Sequence, residues 1–283
     1  TIMSNSEELI IRRPPIGATS MMFWNRSVEQ AVPLAAELGY DAIEIWAEHL
    51  WREDEDPRKI ERALARANLR CTVHCPIMDL NLTSPNRGIR EESLRQPLQS
   101  VELCDALGAE LLVVHPGKLF SVKNSVDLFW EHQVQVLETI VQHAEKYGVC
   151  IAFENMDMHS KLEVVKRAED IHRALAPFTY EKLGVTYDTT HLGTTQANLD
   201  FIAAVDNIIH VHLSDALVVS PNKVRTHLPL GEGELDVEAI LRALLPRYEG
   251  ILSLETHIPA SENTTPVLRE RKKVVALLDR VLR

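Results

Sequence analysis

The sequence predicts a single α/β domain, a (β/α)8 TIM barrel over residues 16–283 that follows a polar N-terminal tail of residues 1–15. Three observations predict it. Short apolar runs alternate eight times with helix-forming stretches, and six of those runs end in a His, Asp or Glu. No linker, low-complexity tract or composition shift divides the chain. Its 283 residues also supply about 35 per strand-helix unit, enough for a strand, a crossover helix and two connections. The competing architecture, an open doubly wound sheet, would want a glycine-rich phosphate loop after an early strand, and neither G-x-G-x-x-G nor a P-loop occurs.

In chain order, Ile16 to Ser20 reads as the first strand, and a helix over 28–38 follows, stopped by Gly39. Ala42 to Ile45 is the second strand, and Pro57 to Ala67 is a helix with proline in its first turn, where no amide hydrogen is needed. Leu69 to His74 is the third strand, and a long polar connection, 75–88, leads to a helix over 91–107 that Gly108 ends. Strand four runs over 110–115. The helix over 125–147 stops at Gly148, ahead of strand five at 149–154. The remaining pattern predicts helices over 162–175, 198–205, 236–244 and 262–282, alternating with strands over 183–188, 208–213 and 250–255. The stretch 214–233 reads as a second long loop.

Composition narrows the classes. Hydrophobic content of 45% and charged content of 25% suit a globular protein with a full core. No stretch has the roughly 18 apolar residues of a membrane span, and the start Ser4-Asn5-Ser6-Glu7-Glu8 has no apolar centre of a signal peptide, so the expected address is the cytoplasm. Cys71, Cys75, Cys104 and Cys150 have no C-x-x-C spacing and read as reduced core thiols. A net charge of −11 argues against a broad basic face for nucleic acid, although a groove needs only local basicity. A homo-oligomer is compatible with the sequence.

Residues two apart on a strand share a face. Thr72 and His74, Val113 and His115, Ala152 and Glu154, Thr186 and Asp188, His210 and His212, and Ser253 and Glu255 should therefore point into the barrel together. The last member of each pair stands at a strand's carboxyl end, where barrel active sites lie. Glu154, Asp188, His212 and Glu255 together suit a divalent ion such as Mn2+, Zn2+, Co2+ or Mg2+. Without a cation, three clustered carboxylates would repel one another. His74 and His115 sit beside Glu154 around the ring and offer a second metal position, so one or two ions are expected. His191 and His227 read as substrate contacts. His210, one layer deeper, reads as a core histidine, while His49, His132, His143, His159, His172 and His257 read as surface or packing residues.

The stretches His74-Cys75-Pro76 with Asn81-Leu82, His115-Pro116-Gly117, Glu154-Asn155, Asp188-Thr189-Thr190-His191, His212-Leu213-Ser214-Asp215, His227 with Leu230-Gly231-Glu232-Gly233, and Leu254-Glu255-Thr256 resemble the xylose isomerase-like barrel superfamily. The resemblance covers the chain from Gly17 to the last helix. That superfamily includes sugar and sugar-phosphate isomerases and epimerases, and apurinic endonucleases of the endonuclease IV type.

In the isomerase and epimerase branch, the resemblance implies one metal on Glu154, Asp188, His212 and Glu255. Glu154 and Glu255 would exchange the substrate proton through an enediolate, and His191 would orient hydroxyls. Arg225, Lys223 or Lys118 would be the residues to take a phosphate or carboxylate.

In the endonuclease branch it implies three zinc ions, the third needing an aspartate where Arg225 stands. That exchange alters the local charge by two units, and one like-charge contact at 4 Å costs roughly 4 kcal/mol even at an effective dielectric of 20. The expectation is therefore an isomerase or epimerase acting on a small sugar, sugar phosphate or polyol, with a metal-dependent phosphodiesterase as the alternative. The loops over 75–88 and 214–233 should set substrate choice. Trp24, Trp46 and Phe120 are candidates for the pocket floor.

Overall fold

A computed structural model of the chain describes residues 12–259 and 261–283. Residues 1–11 of the expected polar tail lie outside the described residues. Eight parallel strands close into a barrel. They are β1 (Ile16–Thr19), β2 (Ala42–Trp46), β3 (Arg70–His74), β4 (Leu112–Val114), β5 (Ile151–Glu154), β6 (Leu183–Asp188), β7 (Ile208–Leu213) and β10 (Leu252–Leu254). β10 closes the cylinder by pairing with both β7 and β1.

Around the strands run α1 (Val28–Glu37), α3 (Pro57–Ala67), α4 (Arg87–Leu107), α5 (Val126–Tyr147), α6 (Ala168–Leu175), α7 (Thr195–Ala204), α8 (Val237–Leu244) and α9 (Thr265–Val281), with a short α2 (Ala47–Arg52) after β2. Their limits follow local chemistry. Ser27 and Gln30 form a reciprocal capping box on α1. Gly108 and Gly148 take left-handed conformations that end α4 and α5, a backbone state that glycine enters at no steric cost.

Alternation along the strands separates two layers. Ile43, Ile45, Phe153, Val185 and Tyr187 face outward and are buried under the helices. Each such side chain contributes roughly 1.5–3 kcal/mol by leaving water. The inward side is more polar, with Glu44, Thr72, Thr186 and His210 all buried inside the cylinder. Among the described residues no helix is long and apolar enough to cross a membrane.

Several segments differ from the sequence reading, among them the unexpected short α2. The helix expected over 91–107 begins at Arg87, because the Asn86 side chain accepts from the amides of Gly88 and Ile89. The helix expected over 162–175 begins only at Ala168. Before it the chain is pinned across the barrel mouth by Leu119 N donating to Leu162 O and Met156 N donating to Val165 O, with Val165 fully buried. Asp170 then caps the helix by accepting from the amides of Lys166 and Arg167. The stretch 214–233 is not an open loop. It carries an antiparallel hairpin, β8 (Asp215–Ser220) with β9 (Lys223–Leu228).

Candidate metal centre at the carboxyl end of the barrel

β6 delivers Asp188 and the short turn after it locks the carboxylate in place. Oδ1 accepts from Thr190 N at 2.6 Å, Thr190 Oγ1 at 2.7 Å and His191 N at 3.0 Å. Three donors on one oxygen fix the group and leave Oδ2 buried without a hydrogen-bond partner. β7 is paired so that His212 lies directly beside Asp188. Glu154 ends β5 and Glu255 follows β10, which brings all four expected residues to one point, with one ligand atom from each within 4.8 Å of the others.

His212 Nδ1 lies 2.8 Å from Glu255 Oε2, 3.4 Å from Glu154 Oε1 and 3.9 Å from Asp188 Oδ2. Ligand atoms held roughly 2.0–2.2 Å from a single ion stand about 3–3.5 Å apart, so this spacing fits one divalent cation. Glu154 Oε2 and Glu255 Oε2, like Asp188 Oδ2, are buried without a hydrogen-bond partner in the protein. Glu154 Oε1, Asp188 Oδ2 and Glu255 Oε2 converge on the His212 imidazole nitrogen, a donor set suited to a cation of borderline or hard character.

The cluster's charges respond strongly to one another. Burial alone would raise the Glu154 carboxyl, but His115 and His212 hold it well below the usual range. Burial acts the same way on Glu255, and His212 and His227 outweigh it, lowering that group to about 2. His212 is pushed the opposite way: burial disfavours its charge, and Glu255, Glu44 and Glu154 raise it well above an ordinary imidazole.

Two further groups adjoin the first. His74 and His115 meet Glu154, with His115 Nε2 at 3.0 Å and His74 Nε2 at 3.7 Å from Glu154 Oε2. His74 Nδ1 donates to the Cys75 carbonyl at 2.6 Å, which fixes the ring and leaves Nε2 facing Glu154. Asp188, His191 and His227 form the other group. His191 Nδ1 donates to Asn155 O at 2.7 Å, and His227 Nδ1 stands 3.9 Å from Glu255 Oε2. His227 holds φ at 54°, a left-handed conformation rare for a non-glycine residue, where the hairpin turns back toward the barrel.

Arg225 is not brought to the cluster. It is exposed on β9, opposite Leu217, and does not line the cavity over the cluster. The tryptophans divide: Trp46 stacks on His74 with ring centroids 4.2 Å apart and lines the cavity, whereas Trp24 packs against His49 and Arg52 instead. Phe120 is exposed and lies outside the cavity. His257, read from sequence as a surface or packing residue, is exposed at the rim of the cavity, where its amide donates to His227 O at 2.7 Å.

A family model described as xylose isomerase-like TIM barrel matches residues 32–276. The chain belongs to that family. Among solved structures, this xylose isomerase-like barrel is similar to a D-tagatose 3-epimerase-like protein, with 25% identity, a TM-score of 0.81, and coverage of 94% of this chain and 98% of that one. Fructoselysine 3-epimerase of Shigella flexneri is 24% identical over 247 residues, 81% of this chain and 84% of that protein. Probable endonuclease 4 of Aquifex aeolicus is 24% identical over 208 residues, 69% of this chain and 72% of that protein. The relatives thus include sugar epimerases and endonucleases.

One residue of this xylose isomerase-like site escaped the sequence reading. Glu44, in the middle of β2, is fully buried and accepts from Thr72 Oγ1 at 3.0 Å, while its oxygens lie 2.5 Å from His210 Nε2 and 2.9 Å from His212 Nε2. Burial would raise its carboxyl, and His212 and His210 instead hold it well below the usual range. The signal was a charged residue inside the apolar run Ala42-Ile43-Glu44-Ile45, at a position where a carboxylate needs partners.

Proposed function

We propose that the protein is a divalent-metal-dependent isomerase or epimerase of a small carbohydrate. The observation that carries the reading is the pair of buried carboxylates, Glu154 and Glu255, that share one cluster with Asp188 and His212 beneath an open cavity. A divalent cation held by these four residues would polarise the substrate's carbonyl and hydroxyl and make the neighbouring C–H acidic.

The remaining work falls to the chain. Glu154 and Glu255 are kept ionised by the surrounding imidazoles, so either can accept a proton from carbon and return it, with an enediolate between the two transfers. His191, fixed by Asn155 O and lining the same cavity, is placed to orient a hydroxyl. The sequence and structural similarity to sugar epimerases supports this reading. The free thiols, three of them buried, suit a reducing compartment such as the cytoplasm.

A second reading, a metal-dependent phosphodiesterase, draws on the two adjoining histidine groups and on the similarity to probable endonuclease 4. Metal analysis of protein purified without chelator, combined with activity assays, separates the two. One exchangeable Mn2+ or Co2+ with ketose-dependent incorporation of solvent deuterium is the expected result. Three tightly held zinc ions with cleavage of an abasic duplex would replace it with the second reading.

A further inference from the structure

The cavity above the cluster has a volume of about 410 Å3, and two sides of its wall differ in chemistry. On one side Thr19, Trp46 and Thr256 are 1%, 6% and 4% exposed, yet Thr19 Oγ1, Trp46 Nε1 and Thr256 Oγ1 have no hydrogen-bond partner among the described residues. Thr19 ends β1, Trp46 ends β2 and Thr256 stands just past β10, and these three strands are neighbours in the barrel. The Trp46 ring is held in place by its stack on His74, so its N–H has a fixed direction. Buried polar groups are almost always paired, and leaving three unpaired on one wall is costly. All three are uncharged, two hydroxyls that both donate and accept and one indole N–H that only donates.

The charged groups of the lining complete the picture. Among the described residues Lys118 is the one lysine of the lining, no arginine contributes to it, and Glu163 faces the same space. Burial raises the Glu163 carboxyl and the charge of Lys118 opposes that rise. Lys223 and Arg225 remain exposed on the hairpin and outside the lining. A phosphate ester asks for forked or clustered cationic donors, which this wall does not offer. Apolar side chains such as Ile77, Leu82, Val114 and Met156 fill much of the rest, a surface suited to the C–H faces of a sugar.

Building on the isomerase or epimerase reading, we propose that Thr19, Trp46 and Thr256 form a hydroxyl-binding subsite, and that the substrate is an unphosphorylated polyol whose end remote from the metal is neutral. The hydroxyls of such a substrate supply the partners that the three groups lack, whereas a dianionic end would meet neutral groups on that wall and a single counter-charge, Lys118, which already faces Glu163.

Calorimetric titration of the metal-loaded protein with D-tagatose, D-fructose and L-ribulose, and with the terminal phosphate ester of each, tests this. At least one free ketose should bind, with its ester at least tenfold weaker. Thr19→Val and Thr256→Val should each weaken that ketose about 3- to 10-fold, the worth of one hydrogen bond. Neither should lower the melting temperature, because neither hydroxyl has a protein partner to lose. An ester that binds as tightly as its ketose overturns the proposal, as do valine variants with unchanged affinity or failure of all three ketoses to bind. Solvent-deuterium exchange in the same samples reports separately on the catalytic reading: a ketose that binds through the threonines without exchanging its proton sinks the isomerase and epimerase assignment and leaves the subsite standing.

Discussion

His212 and Glu44 are joined at 2.9 Å through the imidazole Nε2, and this contact turns Nδ1 of the same ring toward Glu154, Asp188 and Glu255. A carboxylate behind a metal-ligating histidine fixes the ring's tautomer and orientation and strengthens the nitrogen as a donor. Removing the Glu44 charge while keeping its shape should therefore be felt by the metal. Glu44→Gln is expected to weaken Mn2+ or Co2+ binding about 10- to 100-fold in a calorimetric titration. An unchanged dissociation constant would reduce Glu44 to a packing role.

Glu255 is the second carboxylate of the proposed proton exchange. Glu255→Gln should lower kcat by about 100- to 10,000-fold, the usual worth of a positioned acid or base, with the circular dichroism spectrum unchanged. If the variant turns over near the parent rate, Glu255 has no part in moving the proton.

Metal binding should release protons. Glu255, Glu44 and Glu154 raise His212 well above the ordinary imidazole value, so the metal-free ring carries a proton that an ion must displace. Affinity is expected to increase about tenfold per pH unit for each proton displaced, until pH passes the raised value. Titrations in buffers of different ionisation enthalpy measure that proton directly, and a pH-independent affinity would contradict it.

Stability of the metal-free protein should run the other way over part of that range. Burial disfavours charge on His191, but Asp188 and Glu154 outweigh it and raise the group from 6.5 to about 9. A raised imidazole contributes stability that is full below the unfolded value and is lost as pH climbs through the folded one. Chelator-treated protein should therefore lose melting temperature between pH 6.5 and 9. A flat profile over that window would argue against the Asp188–His191 attraction.

Thiol chemistry checks the packing. Burial pushes Cys71, Cys75 and Cys104 up, so they stay protonated at neutral pH, and all three are buried, while Cys150 is partly exposed. Native protein should react with iodoacetamide at Cys150 first and at the other three only on unfolding, as read by intact mass.

The barrel was legible because its strands are short apolar runs with regular spacing, and the ligands because each stands at the end of such a run. What escaped was set by contacts distant in sequence. Asn86 caps α4 although Gly88 in the next turn looks like loop, and Leu162 and Val165 are drawn into backbone pairing across the mouth rather than into a helix. The hairpin had a readable signal, the apolar run Leu217-Val218-Val219 followed by Pro221-Asn222, but its neighbours' polarity masked it. Glu44 could not be placed from the chain alone, because its partners His210 and His212 are five strands away in sequence and are brought near only when the cylinder closes.

The root of the hairpin is tied down by a single carboxylate. Asp215 accepts from the amides of Ala216, Gly231, Gly233 and Leu235, and a Cβ at Gly233 would collide with it. The tip around Pro221 and Asn222, by contrast, stands in solvent. A knot at the base with a free end above it makes this arm a natural place for evolutionary tinkering: residues can be inserted or traded at 221–222 to change which molecules gain entry, while His227 keeps its station beside Asp188 and Glu255.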